Sequence, residues 1–240
     1  MQIFKAPSPM HLSVVPKLCQ PLKIVALGDS LVYGFGDPEG GGWVERLRRS
    51  WMSPDSPGHV LYNLGVRGDR TQQVAHRLEA EFRHRGELRN QVPDLIILSV
   101  GVNDSARLSR PNGRNFTDFA VFESEIAALL DRAHQLCPVL FVGMMPVDEA
   151  KMPFLDCFYF NHADQHRYKE ATKVACAKRG IPYLDIFEQW MEQGEAWRLK
   201  RVSADGLHPN TLGYKTLLED VVGWEAMSEY NSIADCQLAR

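Results

Sequence analysis

The sequence predicts a doubly wound α/β domain, a parallel sheet with helices on both faces. Three observations predict it. Five short apolar runs alternate with longer stretches whose apolar residues recur at helical spacing. The length, 240 residues, suits one domain, because single cores keep growing up to roughly 250–300 residues. Hydrophobic residues at 45% and charged ones at 24% match an ordinary globular chain and exclude intrinsic disorder. Parallel neighbours need a crossover connection, usually a helix, so the alternation itself argues for the parallel arrangement.

The apolar runs span residues 22–27, 60–64, 95–100, 139–143 and 181–184, each short enough for a strand buried on both faces. Between the second and third, Val74, Leu78 and Phe82 share one helix face. Phe122, Ile126, Leu129, Ala133 and Leu136 form another such face before the fourth run. Tyr214, Leu217, Leu218 and Val221 form a third near the end, which Asn210 is placed to cap. No repeat or interior linker interrupts the pattern. The expected organisation is a proline-rich leader over residues 1–21, one catalytic-sized domain over 22–223 and a tail over 224–240.

Charge narrows the partners. Lysine and arginine total 27 against 30 aspartates and glutamates, a net charge of −3, which offers no general attraction to nucleic acid and favours a small-molecule partner. The longest uncharged stretch, residues 136–147, is well short of the ~20 apolar residues that span a bilayer. Prolines break the apolar run of the leader, so no secretory signal is expected and the cytoplasm is the expected compartment. The five cysteines, Cys19, Cys137, Cys157, Cys176 and Cys236, are scattered and odd in number, the pattern of reduced thiols.

In open α/β sheets ligands gather beyond the carboxyl ends of the strands, and these positions are unusually polar here. Gly28-Asp29-Ser30 follows the first run, Gly65-Val66-Arg67-Gly68-Asp69 the second and Gly101-Val102-Asn103-Asp104 the third. Asp205-Gly206-Leu207-His208-Pro209 precedes the last helix. A serine hydroxyl becomes a useful nucleophile when an imidazole accepts its proton and a carboxylate fixes the imidazole's tautomer. Asp205 and His208, three apart on one loop, suit that pairing, and Ser30 sits at a strand-to-helix turn. Acyl transfer also needs donors for a developing oxyanion, each worth roughly 3 kcal/mol. The backbone N–H groups of Ser30 and Gly68 and the side-chain amide of Asn103 are the candidates.

These four blocks, in this order, resemble those of the SGNH hydrolases, the GDSL lipase/esterase family, over residues 22–222. The resemblance implies a three-layer α/β/α fold with a flavodoxin-like five-stranded parallel sheet. It implies Ser30 as nucleophile, His208 as general base and Asp205 as its orienting acid. Ser30, Gly68 and Asn103 would form the oxyanion hole. The implied activity is hydrolysis of carboxylic esters of small or short-acyl substrates without a cofactor or metal. Acyl transfer by the same residues and a non-catalytic binding module of the same fold are the alternatives.

Other features carry plainer expectations. The glycine-rich stretch 34–43 lacks the spacing of a phosphate loop or dinucleotide fingerprint, and no G-x-S-x-G elbow surrounds Ser30. Asp104 is expected to serve a turn. His162 and His166 lack an accompanying glutamate motif, so a solvated helix face is expected there, not a metal site. Arg67, Arg70, Arg77, Arg83 and Arg85 are expected mostly to face solvent. The apolar segment 144–160 is long enough to be either a pocket-shaping loop or an irregular part of the core.

Overall fold

The computed structural model describes residues 21–52, 58–85 and 92–231. The expected leader lies outside these residues but for Pro21, and the tail is described as far as Asn231. In chain order the elements are β1 (Lys23–Gly28), α1 (Ser30–Tyr33), α2 (Gly42–Ser50), β2 (Val60–Gly65), α3 (Thr71–His84), β3 (Leu95–Ser99), α4 (Val102–Ser105), β4 (Arg107–Leu108), α5 (Phe119–Leu136), β5 (Val139–Val142), β6 (Phe158–Tyr159), α6 (His162–Ala177), β7 (Tyr183–Leu184), α7 (Ile186–Glu192), α8 (Glu195–Leu199), α9 (Thr211–Gly223) and α10 (Glu225–Asn231).

The five expected strands form one parallel sheet in the order β2-β1-β3-β5-β7. Every residue of β3, and all of β1 but Lys23, is buried, as a sheet covered on both faces requires. The three predicted helix faces bury their apolar residues in α3, α5 and α9. Helices α3, α5 and α6 pack as one group and α1, α2, α9 and α10 as another, giving the three-layer α/β/α arrangement. Asn210 caps α9 by accepting from the Gly213 N–H at 2.9 Å.

The last strand is shorter than its apolar run. Pro182 has no N–H for the ladder, and only its carbonyl takes part, accepting from Phe141 N at 3.0 Å. The described thiols are Cys137, Cys157 and Cys176, none of them in a disulfide. Burial pushes Cys137 and Cys176 up to about 12, which keeps them protonated and unreactive at neutral pH. No helix among the described residues is long and apolar enough to cross a membrane.

Strand register positions the polar blocks. Gly28 pairs with Gly65 of β2 on one side and with Ser99 of β3 on the other, so these three adjacent strands end level. The loops that follow them therefore open at one edge of the sheet.

Candidate active site

Gly28 is where the site begins. A Cβ there would lie 2.0 Å from the Ser99 carbonyl oxygen and 2.5 Å from Val32 Cγ2, so only glycine lets β1 end this close to β3. Asp29 then caps α1, accepting from the Leu31 N–H at 2.9 Å. Ser30 is thus the first residue of the helix, and its hydroxyl is not needed as the cap. Tyr214 of α9 donates its hydroxyl to the carbonyls of Phe35 and, more weakly, Ser30, at 2.9 and 3.4 Å, tying the turn to the last helix.

Asp205 and His208 stand on a loop closed by a bridge between Val202 and Pro209. The loop is held by the bond from Ser203 N to the His208 carbonyl at 2.7 Å. One Asp205 oxygen accepts the N–H groups of Leu207 and His208, both at 3.0 Å. The other oxygen lies 2.7 Å from His208 Nδ1, and His208 Nε2 lies 2.8 Å from Ser30 Oγ. The tautomer that satisfies both contacts has the proton on Nδ1, leaving Nε2 to accept from the serine. Burial opposes ionisation of Asp205, but the bonds from the His208 ring and from the His208 and Leu207 N–H groups outweigh it and hold the carboxyl below its ordinary range. Residues 178 positions apart in sequence are in contact.

The two donor loops, after β2 and β3, meet each other. Asn103 Nδ2 donates to the Asp69 carbonyl at 2.9 Å, which locks the asparagine block against the residue after Gly68 and, among the described residues, leaves the second amide hydrogen uncommitted. Among the described residues no protein acceptor takes the N–H of Ser30 or of Gly68. Gly68 has φ +82°, and a Cβ there would meet nothing within 4 Å, so backbone conformation and not space favours glycine. All five predicted site residues therefore gather at one end of the sheet.

Several neighbours were not legible as participants. Arg77 was expected on a solvated face. It instead pairs with Asp69 at 2.8 Å and donates to the carbonyls of Leu64 and Gly28, both at 2.8 Å, clamping the ends of β2 and β1 together. Asp104 is no mere turn residue. It is fully buried and accepts from Thr71 N and Oγ1, both at 3.0 Å, and from Thr117 Oγ1 at 2.6 Å, joining three segments behind the site. Asp37 anchors the glycine-rich stretch, accepting from Gly40 N, Gly42 N, Thr211 and both ends of the Arg46 fork. Burial works against its charge, but those bonds lower it to about 2.

The segment 144–160 both fills the core and reaches the site. Met144 and Met145 are buried, while the Phe154 ring stands edge-on to His208 with centroids 5.7 Å apart. From the other side Phe35 meets the same imidazole at 4.7 Å.

His166 does have glutamates beside it, contrary to the sequence reading: one ligand atom each from His166, Glu170 and Glu188 falls within 4.8 Å of the others. The fully buried Lys169 side chain already bridges both carboxylates, at 2.7 Å each, so an ammonium supplies the charge that a metal would otherwise bring to them.

Asp29 has a titration of its own. Burial, with Asp104 and Asp69 adding repulsion, raises its carboxyl from 3.8 to about 7 despite the Leu31 N–H bond, and one oxygen has no partner. Between those two values the folded chain binds a proton that the unfolded chain has released, so stability from this group is full below the lower value and is lost as pH rises toward the upper. Asp29→Asn is expected to flatten the decline of Tm between about pH 4 and 7 by removing this group's share; an unchanged slope in a pH series of thermal melts would contradict the assignment.

The fold and these four blocks define an SGNH-type hydrolase. A family model, the GDSL-like Lipase/Acylhydrolase family, matches residues 26–216, and the chain belongs to that family. It is 24% identical over 187 residues to the thioesterase 1/protease 1/lysophospholipase L1 of Escherichia coli (strain K12), covering 78% of this chain and 75% of that protein. Among solved structures it resembles the lipase/acylhydrolase from Enterococcus faecalis, with a TM-score of 0.66, 21% identity and 84% and 93% of the two chains covered. It also resembles a catalytic mutant of an acetylxylan esterase from Geobacillus stearothermophilus, with a TM-score of 0.62, 16% identity and 85% and 95% covered. The chain is thus a GDSL-family, esterase/lipase-like hydrolase.

Proposed function

We propose that this hydrolase cleaves carboxylic esters of small or short-acyl substrates through an acyl-enzyme on Ser30. The observation that carries the reading is the continuous chain from Ser30 Oγ to His208 Nε2 at 2.8 Å and from His208 Nδ1 to Asp205 at 2.7 Å. Ser30 Oγ attacks the ester carbonyl as its proton passes to His208 Nε2. The carbonyl oxygen becomes an oxyanion, stabilised by the unused N–H groups of Ser30 and Gly68 and the free amide hydrogen of Asn103. The C–O bond to the alcohol breaks, and His208 returns its proton to the leaving oxygen. Water then attacks the acyl-enzyme, again giving a proton to His208, and the acid departs as Ser30 Oγ is reprotonated.

Asp205 holds the imidazole in the working tautomer and balances its charge while it is doubly protonated. No step calls on a cofactor or metal. The chemistry named for the Escherichia coli relative and the Geobacillus stearothermophilus esterase is also acyl cleavage. We place the enzyme in the cytoplasm, in keeping with thiols spread singly along the chain.

Acyl transfer to an alcohol uses the same groups, and the acceptor that reaches the acyl-enzyme decides between the two. Turnover of 4-nitrophenyl acetate with added short alcohols separates them. Hydrolysis predicts free acetate as the main product at every alcohol concentration; acetylated alcohol as the main product at millimolar alcohol would favour transfer. No turnover of acetyl or butyryl esters would remove the esterase reading.

A further inference from the structure

Arg67 is exposed beside Gly68 on the loop after β2, and its guanidinium carbon lies 3.7 Å from the centroid of the Phe35 ring. That ring meets His208 edge-on at 4.7 Å, so one aromatic side chain separates the guanidinium from the imidazole. Other arginines of the fold are spoken for. Arg46 holds Asp37, Arg77 holds Asp69, and Arg107 holds Asp164. Arg70, three residues on, lies over Phe116, bonds Thr117 and acts on Asp104 and Glu125. Arg67 alone on this loop has neither a carboxylate nor a hydrogen-bond acceptor among the described residues.

Stacking on an aromatic face fixes the plane of a guanidinium while leaving its N–H edge free, the geometry that receives a carboxylate or phosphate in a forked pair. Its place also says which part of a substrate it meets. His208 returns the proton to the leaving oxygen, so the alcohol portion of an ester lies toward the imidazole, and Phe35 carries Arg67 to that side.

We infer that Arg67 is a specificity residue that binds an anionic group, carboxylate or phosphate, on the alcohol portion of the substrate. The inference rests on the esterase reading and narrows it to esters of acidic alcohols. Arg67 is a positioning residue for the substrate and takes no part in the bond changes.

The experiment compares three acetate esters of para-substituted phenols that bear a carboxylate, a phosphate or an uncharged carboxamide. The wild-type protein is expected to favour an anionic ester over the carboxamide by about tenfold in kcat/KM, with the gain in KM and eroded by added salt. Arg67→Gln is expected to bring that ratio to about one, and Arg67→Lys to retain part of it. Whichever of the carboxylate and phosphate esters is preferred identifies the anion. A wild-type ratio near one, a ratio indifferent to salt, or a preference that survives in Arg67→Gln overturns the inference while leaving the esterase intact. Should Arg67→Gln fail to fold, the wild-type ratio and its salt dependence still decide. Turnover of none of the three esters sinks the esterase reading and this inference together.

Discussion

Ser30→Ala is expected to lose at least about 10⁴-fold in kcat on a short-chain aryl ester while melting close to the wild type. The loss is large because the hydroxyl is the group held against the base, and without it His208 has no nucleophile of the protein to activate. The fold should tolerate the change. Among the described residues Oγ makes one hydrogen bond, with His208 Nε2, and the turn around it is held by Asp29, Tyr214 and the backbone. Thermal melts and steady-state kinetics on the same preparation check both halves. Activity within tenfold of the wild type would mean that another group attacks the ester.

Asp205→Asn is expected to cost about 10³- to 10⁴-fold in kcat, and the reason lies in which oxygens the carboxylate uses. One oxygen accepts the N–H groups of Leu207 and His208, and the other faces His208 Nδ1. Asparagine has a single oxygen. If that oxygen keeps the two backbone bonds, the amide N–H₂ faces Nδ1, which must then give up its proton and accept. The proton moves to Nε2, and an imidazole with Nε2–H facing Ser30 cannot take the serine's proton. The variant should therefore bind ester with a KM near that of the wild type and fail in kcat. Loss confined to KM would show that Asp205 shapes the pocket and does not orient the base.

How much of this was legible in the sequence follows from what kind of residue each element buries. The strands and α3, α5 and α9 bury apolar residues at regular spacing, and those were readable. Helix α6 was not, because its buried face carries Asp164, Gln165, Lys169 and Thr172 alongside Tyr168 and Cys176, and polar residues leave no hydrophobic period. Their burial is offset by partners from distant segments: Arg107 for Asp164, the Met145 carbonyl and Val147 N–H for Gln165, and Asp185 for Lys169. The two-residue strands β4 and β6 pair with each other outside the main sheet and were too short to signal themselves.

The site divides the same way. Ser30, Gly68, Asn103, Asp205 and His208 could be found because their types and order carry chemistry. The residues that hold them could not. Arg77 has the spacing of a solvated helix face, and only the tertiary approach of α3 to the ends of β1 and β2 turns its long side chain inward. Asp104 has the composition of a turn, and its role depends on Thr71 and Thr117 arriving from other elements. Phe154 is one apolar residue in a loop until that loop folds across the imidazole. Chemistry-bearing groups announce themselves locally; their supports are defined by contacts between segments far apart in the chain.

The central claim is that the Ser30 hydroxyl is activated by His208, and covalent trapping tests it most directly. The folded protein, incubated with a fluorophosphonate probe, is predicted to gain one probe mass, located by peptide mapping on Ser30, at a rate that falls sharply in His208→Ala. Labelling at any other residue, no labelling, or labelling of Ser30 at an equal rate without the imidazole would contradict it.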